Sequence, residues 1–161
     1  IAGVQGDSTN TARMDGYREG ITEAGGEFLD DETQYANATA DLAVTAMEGI
    51  MSKYPDGVAI ICSNNDDMAL AAARTAKENP NYAKTIFLGF DGQKSACEAV
   101  AAGELTMTAA QNNFDIGYKA VETMVKILKG EQYDKVVDTG TEIVTKDTAD
   151  ARLAKFDEWM K

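Results

Sequence analysis

Short apolar runs alternate along the chain with longer segments whose apolar residues recur every three to four positions. The runs are IAGVQ at 1–5, GEFLDDETQ at 26–34, VAIICS at 58–63, TIFLGF at 85–90 and ELTMTAAQ at 104–111, all of strand length. Between them lie stripes of helical period: Ala12, Tyr17, Ile21 and Ala24, then Leu42, Ala46 and Ile50, then Met68, Ala72 and Ala76. Gly25 with Gly26, Pro55-Asp56-Gly57 and Pro80 punctuate the helix ends. This alternation is the signature of βαβ units, so the pattern predicts a parallel sheet with right-handed crossovers.

A longer helix is predicted over 113–129, with Ile116, Ala120, Met124 and Leu128 on one face and Gly130 as its stop. After it come VVDTGTEIVT at 136–145, strand-like but broken at Gly140, and a last helix carrying Leu153, Phe156 and Met160. The expected architecture is α/β: a single three-layer, Rossmann-like lobe over 1–161, with a mostly parallel sheet and helices on both faces.

Composition narrows the chemistry. With 161 residues, 44% hydrophobic, the chain is long enough for one sizeable core. A net charge of −12 opposes nucleic acid and anionic membrane surfaces as partners. There is no apolar run of the roughly 18 residues that a membrane span needs, and Ile1 opens directly into a strand-like run, so neither a span nor a signal peptide is read. The chain has no histidine, which removes the standard catalytic triads, zinc sites and proton shuttles. Cys62 and Cys97 lack C-x-x-C spacing and read as buried core thiols rather than a disulfide.

In open α/β sheets, ligands bind beyond the carboxyl ends of the strands. Those positions collect polar residues: Asp7, Ser8, Asn10 and Arg13 after the first run; Gln34, Tyr35 and Asn37 after the second; Asn64 to Asp67 after the third; Asp91 after the fourth; Gln111 to Asn113 after the fifth. Arg, Asn, Asp and Gln are planar, multi-point hydrogen-bonding groups that suit a ligand with several hydroxyls, such as a sugar. Each also has a plainer reading. Ser8, Asn65 and Asp66 are preferred helix caps, Asp91 in GFDG is a turn residue, and Arg13 is a solvated helix charge. Neither glycine-rich phosphate motif occurs, and the NNDD cluster at 64–67 lacks calcium-loop spacing, so no cofactor and no metal are expected.

The segments TARMDGY at 11–17, CSNNDDMALAAA at 62–73, FLGFDG at 87–92, LTMTAAQNNFDIGYKAVE at 105–122 and LKGE at 128–131 resemble, in order and spacing, the type I periplasmic binding proteins. The resemblance is to the ribose- and galactose-binding group of transporter receptors. It implies that Arg13, Asn65, Asp91 and Gln111 hydrogen-bond sugar hydroxyls in a cleft. Relatives place an aromatic ring near the position of Ala38, so here stacking falls to Tyr35 or to a part of the site outside this chain.

Family members have two similar lobes joined by three crossings, and the ligand is trapped when the lobes close. The resemblance therefore implies that this chain is the C-terminal lobe. Helix 113–129 would belong to the other lobe and be covered by a missing N-terminal lobe or by a second chain. It further implies an extracytoplasmic protein, periplasmic or lipid-anchored, that binds a monosaccharide or polyol and delivers it to the permease of an ABC transporter, without catalysis. The alternative is the effector domain of a lactose-repressor-like regulator or a sensor ectodomain, which shares the core. A carboxylate enzyme would need a paired acid and base, which nothing in the spacing requires.

Overall fold

A computed structural model of the chain describes residues 1–159. Strands β1 (Ile60–Cys62), β2 (Ile86–Asp91), β3 (Met107–Gln111) and β4 (Thr141–Val144) form one sheet in the order β1-β2-β3-β4. The first three are parallel, and β4 closes the far edge antiparallel to β3. Helix α3 (Asp66–Ala76) links β1 to β2, and α4 (Lys94–Ala102) links β2 to β3. The expected mostly parallel α/β lobe is what forms.

Small side chains let the helices approach the sheet. α3 presents Ala69, Ala72, Ala73 and Ala76, all buried, to a core that includes Ile61 and Phe87. At Gly89 of β2, a Cβ would collide with the carboxylate of Asp66 and press on the Ala69 methyl at 3.2 Å, so only glycine allows this approach. α4 adds Cys97, Ala99 and Val100, which share the core with Leu105, Ala110 and Val144. Removing from water one large side chain such as Phe87 contributes roughly 1.5–3 kcal/mol. α1 (Ser8–Glu23) lies over the opposite face, its Arg13 guanidinium 3.8 Å from the Phe90 ring centroid.

The first two predicted strands are shorter than expected. The Ile1 amine donates to Cys62 O at 2.6 Å and Asn64 N donates to Ile1 O at 3.1 Å. Ala2 N donates to Gln34 O, and Ala36 N to Ala2 O, each at 2.8 Å. These parallel rungs place 1–3 beside β1 and 34–36 beyond them, extending the sheet by a single bridge. Two local causes cut the runs short. The chain turns after Gly3, with Asp7 N donating to Val4 O and Gly6 at φ +83°. Asp30–Glu32 winds into a 3-10 turn, and strands disfavour such a run of acids.

The helical stripes also need correction. In α1, Ala12 and Ala24 are exposed, and the buried residue is Asn10, whose side chain takes the Gly3 N–H at 2.5 Å. Its cap is Asp7, which accepts from Asn10 N at 2.7 Å, and not Ser8. α2 (Ala40–Lys53) buries Ala43, Ala46 and Met47 against α3 and leaves Leu42 exposed. The i, i+3, i+4 spacing of 43, 46 and 47 makes the tighter stripe. Cys97 is buried, Cys62 is only half-buried, and both are free thiols.

Helix α5 (Asn113–Lys129) has the predicted bounds and ends at Gly130, left-handed at φ +69°. No residue along it is buried; Val121 is 66% and Leu128 79% exposed. Of 136–145, only the part after Gly140 is strand. The last helix, α6 (Ala149–Trp159), packs on α4 and buries Ala149 and Arg152, while Met160 lies outside the described residues.

Candidate functional site

Three strand-end elements converge on Asp91. β2 ends in Asp91 and β3 ends in Gln111, whose Nε2 donates to Asp91 Oδ1 at 2.8 Å. From α1, Arg13 Nη2 donates to the same oxygen at 3.2 Å, and Nη1 donates to Asn64 O at 2.7 Å. The guanidinium lies over the Phe90 ring, close enough for cation–π attraction. Arg13, Asp91 and Gln111, predicted separately from strand-end positions, are therefore one hydrogen-bonded group.

The backbone aims this group. Asp91 sits at φ +114°, a region that side chains other than glycine rarely occupy, and Gly92 follows at φ +69°. A Cβ at Gly92 would overlap the Ala110 Cβ, so the GFDG turn needs its final glycine sterically. Asp91 is three-quarters shielded, at 25% side-chain exposure. Burial pushes its carboxyl above the ordinary carboxylate value, while Arg13 and the Gln111 amide pull it back down.

Asn65 behaves as its plainer reading describes. Its Oδ1 caps α3 by accepting from Met68 N at 2.9 Å, and its Nδ2 donates to Ala38 O at 3.1 Å. That second bond tethers the loop in which Asn37 and Ala38 both take positive φ, at 47° and 61°. Asn65 thus borders the cluster through its neighbour Asn64 rather than bonding to it. Tyr35 is not joined to Arg13, Asp91 or Gln111 by any hydrogen bond among the described residues; its main chain forms the bridge to Ala2.

Tyr17 and Arg152 were not singled out by sequence, and Asn64 was named only as a strand-end polar residue. Tyr17, read as part of an apolar stripe, donates its hydroxyl to Ser63 O at 3.1 Å, and burial raises its pKa above the ordinary phenol value. Asn64 donates Nδ2 to Asn10 O at 2.9 Å and also contacts Asn10 Oδ1, tying the first two loops together. Arg152, fully buried on α6, donates Nη2 to Gln111 O at 2.7 Å. An arginine within a helical pattern gives no signal of burial.

Beside the cluster opens a groove of about 740 Å³, lined by Arg13, Tyr17, Phe90, Ala109 and Gln111 with Asp138 to Thr141. Asp91 is bonded to two of the groove's lining residues, Arg13 and Gln111; Asp91 Oδ2 and the remaining Arg13 N–H groups carry no bond among the described residues, so the cluster keeps an acceptor and donors free. Planar polar side chains beside an aromatic ring beyond parallel strand ends are the kind of place where open α/β folds bind ligands.

Comparison with known proteins gives the family. The periplasmic binding protein domain family matches residues 1–132, and the chain belongs to that family. It is 31% identical over 146 residues to the ribose import binding protein RbsB of Escherichia coli, covering 91% of this chain and 48% of that protein. It is also 31% identical over 125 residues to the D-allose-binding periplasmic protein of the same organism, covering 78% and 40%.

Among solved structures, an ABC transporter solute binding protein from Mycobacterium smegmatis with bound glycerol superposes with TM-score 0.80 at 31% identity, over 94% of this chain and 52% of that one. The Caulobacter myo-inositol binding protein bound to myo-inositol gives 0.84 at 25%, over 96% and 54%. The chain spans about half the length of the curated relatives it matches.

Proposed function

We propose that the chain is one lobe of an extracytoplasmic solute-binding protein that binds a monosaccharide or polyol for an ABC transporter. The observation that carries this reading is the Arg13–Asp91–Gln111 group at the groove edge, with an unpaired acceptor beside unpaired donors. A vicinal diol needs that combination, because each hydroxyl donates and accepts. Asp91 and Arg13 supply the charge-assisted bonds, Gln111 an amide bond, and Asn65 its remaining N–H. Tyr35 supplies an aromatic face only if loop 34–38 moves toward the groove as the ligand binds. Names of relatives support the substrate class: ribose import, D-allose-binding, and a structure bound to myo-inositol.

In this reading the missing half of the site comes from a second lobe, which covers the apolar face of α5, and hinge closure traps the sugar between them. The wholly unburied α5 and the half-length coverage of relatives support that division. No bond is made or broken. Calorimetry on the full-length protein with D-ribose, D-allose and myo-inositol tests the assignment. Asp91→Ala removes about two charge-assisted hydrogen bonds, so affinity falls on the order of a hundredfold. Affinity unchanged by that substitution sinks the assignment.

A further inference from the structure

Behind the groove edge, two fully buried side chains grip the turn that carries Asp91. Gln93 N donates to Asp66 Oδ2 at 2.8 Å, and Gly92 N donates to Thr108 Oγ1 at 3.3 Å. Thr108 in turn donates its hydroxyl to Asp66 Oδ1 at 2.6 Å, so one carboxylate on α3 and one hydroxyl on β3 hold consecutive N–H groups of the turn. Both side chains are wholly buried, and the absence of a Cβ at Gly89 is what makes room for the carboxylate. The residue just before this double grip, Asp91, is the one held at φ +114°. A sparsely populated main-chain conformation persists only where its surroundings over-determine it.

We propose that Asp66 and Thr108 are positioning residues: together they clamp the Gly92–Gln93 backbone, hold Asp91 in its left-handed conformation and so aim its carboxylate at Arg13, Gln111 and the ligand. The inference rests on the binding role proposed for Asp91. A merely structural carboxylate would stabilise α3 and α4 without any coupling to Asp91. The clamp, by contrast, acts through one turn and one oxygen, and its loss is felt first at the Gln111 amide that bonds to Asp91.

The test uses the full-length protein and the pair Thr108→Val and Thr108→Ser, because Asp66→Ala buries an unpaired set of donors and risks failure to fold. Valine keeps the shape and loses the hydroxyl, whereas serine keeps the hydroxyl. Nuclear magnetic resonance follows hydrogen exchange at the Gly92 and Gln93 amides and the side-chain amide shifts of Gln111. Calorimetry with D-ribose follows affinity.

Thr108→Val is expected to speed exchange at both amides about tenfold, to shift the Gln111 side-chain resonances, and to weaken the sugar about tenfold. Thr108→Ser restores all three. In an Asp91→Ala background, Thr108→Val adds no further loss of affinity, because the clamp then has nothing to aim. Equal effects from valine and serine, unmoved Gln111 resonances in the valine variant, or additive loss in the double variant would each overturn the clamp. If Asp91→Ala leaves sugar affinity intact, the binding reading fails by itself. The exchange rates and Gln111 shifts still decide whether Asp66 and Thr108 position Asp91.

Discussion

Replacing Arg152 by alanine should lower the stability of this chain by about 3 kcal/mol, although the residue is not itself a proposed ligand contact and meets that group only at the Gln111 main chain. Its guanidinium is wholly buried, bonded to Gln111 O at 2.7 Å and to Glu142 Oε2 at 3.3 Å, and lies 5.6 and 5.1 Å from the ring centroids of Phe156 and Trp159. The bond to the Gln111 carbonyl is charge-assisted and worth roughly 1.5–3 kcal/mol. The Glu142 pair adds less than about 1 kcal/mol, because Glu142 is one-third exposed and keeps Lys155 at 2.9 Å. The two aromatic contacts add roughly 0.5–1 kcal/mol each.

Against these stand the desolvation of the charge and an Nε that has no partner and costs about 1–3 kcal/mol. Truncation also leaves the Gln111 carbonyl unpaired, so the net cost is on the scale of that one bond, about 3 kcal/mol, which in a chain of this size lowers Tm by about 6–12 °C. Trp159 is the chain's single tryptophan and packs on the guanidinium, so urea unfolding followed by its fluorescence reads the change directly. Arg152→Met separates the terms by keeping apolar bulk while leaving the Gln111 carbonyl unpaired. If Arg152→Met is as stable as the parent chain, desolvation outweighs the bonds and the reasoning fails.

Two further tests concern titration and the open helix. Burial raises the Asp66 carboxyl from 3.8 to about 6, with Asp91, Tyr17 and Cys97 as the titratable groups coupled to it. The folded state therefore keeps a proton that the unfolded state releases, and the group's contribution to stability falls as pH rises from about 4 to 6. At 1.36 kcal/mol per pKa unit the change is about 3 kcal/mol. Asparagine cannot ionise, so the stability of the parent relative to Asp66→Asn should decline over that window in urea titrations; a flat difference refutes the shift. Val121→Glu should change the 161-residue chain by less than about 0.5 kcal/mol, since the site is exposed, yet destabilise the full-length protein by about 2 kcal/mol or more. Thermal melts of both should diverge, and equal shifts would show that nothing covers α5.

The parts legible in sequence are those set by period and punctuation. β2, β3 and α5 were readable because their patterns are long enough to average over exceptions and end at Asp91, Gln111 and Gly130. The strand-end rule then found Arg13, Asp91 and Gln111 without knowledge of their contacts. What escaped depends on partners distant in sequence. The run at 1–5 became a single bridge because the chain turns after Gly3. Arg152 carries no local signal of burial, since helical arginines are usually solvated, and the rings it lies near are those of Phe156 and Trp159. Thr108 read as one polar residue in an alternating strand, and nothing local marks it as the link between a carboxylate 42 positions earlier and the turn at Gly92. Asn65 shows the opposite limit, since one side chain serves as a cap and a loop tether at once.

Main-chain torsion at Asp91 sets the direction in which its side chain leaves the turn, so the shape of the turn and the chemistry of the group at its tip are separately adjustable. Exchanging acid for amide there swaps a pure acceptor for a donor–acceptor of nearly the same shape. A turn of this kind can exchange the group it presents by single substitutions, leaving sheet and helices untouched.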